Sequence, residues 1–67
     1  MPSVAKTVEL SAESPDSFED AIRVGIAKAG ETLHNIEGAY VKEQKAVVSD
    51  GQITGFRVHM QVTFVVD

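Results

Sequence analysis

The 67-residue sequence has no cysteine and no tryptophan, only two prolines, and four aromatic residues, three Phe and one Tyr. Without cysteine there is no disulfide to hold the chain, and no Cys/His cluster offers a structural metal in its place. Positive charge is scarce as well: six Lys and Arg stand against ten Asp and Glu, a formal net charge of −4. Such a chain repels phosphate backbones, and its basic residues are scattered rather than grouped in a stripe, so no nucleic-acid partner is expected. No apolar run approaches the ~18–20 residues that a membrane span needs, and no membrane partner is expected either. Met1-Pro2-Ser3-Val4 lacks the basic start and apolar stretch of an export signal, which makes the cytoplasm the expected location.

What is present is globular in composition. Apolar residues make up 43% of the chain, too many for a disordered segment. The length allows one small domain, residues 1–67. A chain this short buries only about 60% of its unfolded surface. Ordering it costs roughly 1.5 kcal/mol per residue, against a gain of ~25 cal/mol per Å² of apolar surface buried. With neither disulfide nor metal to close that gap, self-association is the remaining source of burial, and a homo-oligomer is expected.

Hydrophobic periodicity divides the chain into four elements. Val4 to Leu10 alternates as a short strand and gives way to the turn-like Ser11-Ala12-Glu13-Ser14-Pro15. Two helix starts are open, Ser14 followed by Pro15, or Ser17 with Asp20 three residues on. Phe18, Ala21, Ile22, Gly25, Ile26, Ala29 and Leu33 then form one apolar stripe at helical spacing, fading near His34-Asn35. The small residues in its middle read as close packing on a sheet, or else as a ligand groove along that face. Ala39 to Val48 is strand-like but interrupted by Lys42-Glu43-Gln44-Lys45, and Asp50-Gly51 is a hairpin turn leading to a last strand, Ile53 to Val66. An unbulged Asp-Gly turn sets Val58 against Glu43 and Phe56 against Lys45, which brings charge to the helix side. Either the hairpin is bulged, or that end of it lies beyond the helix, and the second is the favoured expectation. The last strand spans ~45 Å and the helix only ~25 Å, so the overhang must meet something, most simply another copy.

Catalytic motifs are absent: there is no GxGxxG, no P-loop and no HExxH, and no motif arranges a Ser-His-Asp or Cys-His set. His34 falls near a helix C-terminus, where the dipole accounts for it. His59 lies on the polar face of the last strand, close to Arg57 and Gln61, and reads as a solvent-facing residue. Glu43 and Asp16 are oxygen donors of the kind Mg²⁺ or Ca²⁺ takes, but two separated carboxylates read first as solvated charges. These residues by themselves describe an acidic β-α-β-β oligomer of unknown ligand.

The run Ser14-Pro15-Asp16-Ser17-Phe18 with Ala21-Ile22, the stretch Thr32-Leu33-His34-Asn35-Ile36 and the ending Val62-Thr63-Phe64 resemble the dodecin family. The resemblance covers essentially the whole chain. It implies an α+β fold, β-α-β-β, in which a curved three-stranded antiparallel sheet partly wraps one helix. It also implies hollow spheres of twelve subunits that store or scavenge flavins (riboflavin, FMN or FAD) and do not catalyse. Some members bind coenzyme A and some carry divalent metal ions.

Two positions depart from the flavin-binding members. Gly38 stands where a tryptophan at the start of the second strand stacks on the flavin ring, and Arg57 stands where a glutamine meets the polar edge of that ring. Tyr40, on the same face as Gly38, is the substitute ring, and Gln61 joins Arg57 as a donor. These departures, with the stretches Val41–Gln44 and Ile53–Arg57, are similar to a tryptophan-lacking subgroup that includes a calcium dodecin. There an acidic residue at the position of Glu43 takes part in metal binding, with one near Asp16 assisting. The resemblance therefore implies Gly38 and Arg57 as cofactor-binding positions, to which strand parity adds Tyr40 and Gln61, and it implies Glu43 and Asp16 as ligands for Ca²⁺ or Mg²⁺. The expected function is a non-catalytic homododecameric cage that binds, stores or buffers a flavin-type or other anionic small molecule. The alternative is a metal-binding or purely structural assembly without flavin.

Overall fold

The computed structural model describes residues 3–66. Strand β1 (Val4–Ser14) leads to helix α1 (Phe18–Ala29), and a long hairpin of β2 (Ile36–Ser49) and β3 (Gln52–Val66) follows. β3 is the central strand of an antiparallel sheet ordered β1-β3-β2. The expected β-α-β-β architecture is the one observed.

β1 runs past its expected end at Leu10. The stretch from Ser11 stays in the sheet as far as Ser14 because its alternation continues: Ala12 and Ser14 turn toward the helix, Ser11 and Glu13 away from it, paired with Val58, Phe56, His59 and Arg57 of β3. Pro15 and Asp16 alone then separate the strand from the helix cap. The cap is Ser17, whose hydroxyl accepts the Asp20 N–H at 2.9 Å, so of the two open starts the chain uses the second. Ser14, 1% exposed, ties the turn together: its hydroxyl donates to the Asp20 carboxylate at 2.6 Å and accepts the Asp16 N–H at 2.9 Å.

The α-helix also ends sooner than the stripe predicts, at Ala29 rather than near His34-Asn35. Gly30, a poor helix former, caps it, and single hydrogen-bonded turns carry the chain on to Leu33. Asn35, at φ 61°, then redirects the backbone into β2. Ala21, Gly25 and Ala29 are the buried residues of α1, which bears out close packing on the sheet. A side chain at Gly25 would strike the Met60 methyl and stand 3.0 Å from the Ala12 Cβ. Ala21, Val58 and Met60 form the core, flanked by Leu10, Ala12, Phe18, Ile22, Ile26 and Val41. Phe18 meets Phe56 edge-to-face at 5.1 Å.

The hairpin turns at Asp50 (φ 52°) and Gly51 (φ 75°), the positive-φ pair that a two-residue loop between Ser49 and Gln52 requires. Its register corrects the unbulged expectation. Thr54 is an extra residue in β3, so Val58 faces Gln44 and Phe56 faces Ala46, and the charges of Glu43 and Lys45 turn away from the helix. Lys42 is a second extra residue, in β2, which absorbs the polar run within the strand. The hairpin still outreaches the helix: the molecule is 52 Å long, whereas twelve helical residues cover about 18 Å. At the tip, Val48 and Ile53 are 60% and 59% exposed.

Candidate functional site

α1 packs on β1 and β3 from one side and leaves the opposite face of the sheet open. There the register sets residues in rows across the three strands: Glu13, Arg57 and Lys45; Ser11, His59 and Glu43; Glu9, Gln61 and Tyr40; Thr7, Thr63 and Gly38. The expected cofactor-binding residues Gly38, Tyr40, Arg57 and Gln61 thus share one face. A Cβ at Gly38 would meet nothing within 4 Å, so the position is bare backbone beside open space. Tyr40, 66% exposed, stands directly opposite Gln61.

Arg57 is already engaged. Its Nε and Nη2 both donate to Glu13 Oε1, at 2.9 and 2.7 Å. Glu13 lies over Gly55, where an added Cβ would sit 3.2 Å from its Oε2. This partner was not read from the sequence, because only the β1–β3 register brings the two residues together.

Glu43 lies on the same face, in a shallow cavity of about 260 Å³ completed by Ser11, Lys45, Arg57 and His59. One carboxylate among two cationic side chains and an imidazole is a poor setting for a hard cation, which collects several oxygens. Asp16 belongs to the β1–α1 turn, away from mid-sheet Glu43, and its N–H is bound by Ser14. Among the described residues, no three His, Asp or Glu side chains form a group able to hold a metal ion.

A second network escaped the sequence reading. His59 Nδ1 lies 3.1 Å from the Ser11 hydroxyl and its Nε2 lies 2.7 Å from Glu9 Oε1. A carboxylate only accepts, so Nε2 carries the hydrogen. Lys42, turned by its bulge, donates to the same Glu9 oxygen at 3.3 Å. The hydrogen bonds from His59 and Lys42 hold the Glu9 carboxyl below the usual glutamate range. Hydroxyl, imidazole and carboxylate stand in the order of a hydrolase triad. They do so at the shallow cavity shared with Glu43, with His59 and Glu9 partly exposed in the single chain, where water screens the polarisation that a dry cleft would supply.

The dodecin family model matches residues 4–67. The chain belongs to the dodecin family. A curated dodecin of Thermus thermophilus is 31% identical over 64 residues, covering 96% of this chain and 93% of that protein. Among solved structures, a dodecin from Streptomyces davaonensis has a TM-score of 0.94 at 34% identity, covering 100% of this chain and 98% of the other. A point variant of the T. thermophilus dodecin has a TM-score of 0.92 at 29% identity, with 98% of each chain covered. Dodecins are oligomeric, small-molecule-binding proteins.

Proposed function

We propose that this chain forms a closed homo-oligomer, twelve copies in the manner of its family, that binds and buffers a flavin-type molecule on the open sheet face without transforming it. The observation that carries the reading is Tyr40 opposite Gln61 beside the bare backbone of Gly38. An exposed ring, an amide that both donates and accepts, and an empty neighbouring position suit a planar heterocycle with a polar edge. Membership of the dodecin family supports small-molecule binding, and the sparse core of one copy supports assembly. Arg57 has donors and no acceptor, so it replaces an amide poorly at a ring edge and suits a phosphate better, which favours FMN or FAD over riboflavin.

Riboflavin fluorescence quenching tests the reading. The parent should quench weakly, because base–aromatic stacking of the kind Gly38 lacks is worth about 1–3 kcal/mol. A Gly38→Trp, Arg57→Gln double substitution should bind one to two decades more tightly, given about 1.4 kcal/mol per decade. No gain in that variant would remove the site from this face.

A further inference from the structure

We infer that the Ser11–His59–Glu9 tie makes the open sheet face a proton-linked oxyanion site, independent of the flavin proposed above. His59 takes up a proton as a sulfate- or phosphate-like anion enters the cavity beside it. That cavity, about 260 Å³, is lined by Ser11, Glu43, Lys45, Arg57 and His59, and has room for a tetrahedral oxyanion. Among the described residues, Lys45 has no ion-pair partner to hold it away from such a guest.

The hydrogen bonds fix where the proton goes. Nε2 already carries a hydrogen toward Glu9 at 2.7 Å, so Nδ1 is the one ring nitrogen able to accept another. In the neutral ring, Nδ1 accepts the Ser11 hydroxyl hydrogen across 3.1 Å. Once protonated, Nδ1 becomes the donor and the Ser11 oxygen the acceptor, and the hydroxyl hydrogen turns elsewhere. Ser11 lines the cavity, so an anion held there is the acceptor it meets. One proton thus adds a charge and a donor together.

The surrounding charges make that proton decisive. Facing His59 are Glu9 and Glu13 of β1, Lys42, Glu43 and Lys45 of β2, and Arg57 of β3. α1 lies behind the sheet and contributes none. Three carboxylates balance three cations, so with a neutral imidazole the face carries no net charge and holds an anion weakly. The imidazolium tips it positive. Imidazole is the side chain whose charge ordinarily changes between about pH 5 and 8. By reciprocity, a bound anion raises the ring's proton affinity by the factor by which the proton raises anion affinity.

Sulfate is the probe, because it stays a dianion throughout that range. Calorimetric titration of the full chain at constant ionic strength should show binding about tenfold tighter at about pH 5.5 than at about pH 8. In histidine NMR spectra, saturating sulfate should move the His59 titration midpoint upward and leave that of His34 in place. Ser11→Ala should weaken sulfate several-fold at the lower pH only, and His59→Gln should flatten the pH dependence. No binding at the lower pH, equal movement of both histidine midpoints, or a pH dependence that survives His59→Gln would overturn the site. Displacement of sulfate by FMN but not by riboflavin is expected if the ligand's phosphate sits here. Sulfate left undisturbed by FMN would count against the flavin reading while the proton linkage stands.

Discussion

Arg57 and Glu13, 44 residues apart in sequence, are locked side by side across β1 and β3, with two guanidinium donors on one carboxylate oxygen at 2.9 and 2.7 Å. Both side chains are about half exposed, so the pair stabilises the fold by no more than about 1 kcal/mol. Glu13→Gln should lower the melting temperature by only a few degrees while releasing the guanidinium. The affinity ratio of FMN to riboflavin, measured by fluorescence titration, should then rise several-fold. A ratio equal to the parent's would mean that Arg57 does not reach the ligand.

Gly25 sits where the helix comes closest to the sheet, and Gly25→Ala sets two effects against each other. Helix propensity favours alanine by about 1 kcal/mol. The added methyl meets the movable Met60 tip, and also the Ala12 Cβ at 3.0 Å and Leu10 Cδ1 at 3.1 Å. Overpacking of that kind costs about 1–3 kcal/mol. Net destabilisation is expected, larger for Gly25→Val, and thermal unfolding at fixed protein concentration measures it. A more stable Gly25→Val would contradict the packing described for α1.

Glu9 makes the acid limb of stability predictable. Its carboxyl is held below the usual range in the folded chain by His59 and Lys42, and titrates near about 4.3 when unfolded. As pH falls below that value the unfolded chain takes up the proton first. Stability present at neutral pH is therefore lost as pH drops through the folded-state pKa. Glu9→Gln should flatten this part of the melting-temperature profile, and an acid limb as steep as the parent's would assign the loss to other carboxylates.

Short-range chemistry made most of the fold readable. The Asp50-Gly51 turn, the stripe from Phe18 to Ala29 and the alternation of the last strand each depend on neighbours a few residues away. The extra residues Lys42 and Thr54 do not, because a bulge is defined only against the partner strand, and one of them flips which side chains face the helix. The same holds at the site. Gly38, Tyr40 and Gln61 share a face by strand parity, whereas Glu13 on Arg57 and Glu9 on His59 required the β1–β3 register across 44 and 50 residues.

The Ser11, His59 and Glu9 chain should be a structural tie across the open face. With p-nitrophenyl acetate, the parent and Ser11→Ala should hydrolyse ester at the same background rate. A rate that falls with Ser11→Ala would identify Ser11 as a nucleophile.

Native mass spectrometry of freshly purified protein tests the central claim most directly, because it weighs the assembly and any retained ligand together. Twelve copies of the 7.2 kDa chain give a single species of about 86 kDa. The account predicts that species at micromolar concentration, with riboflavin retained poorly unless Gly38→Trp is introduced. A spectrum of monomers or simple dimers would contradict it.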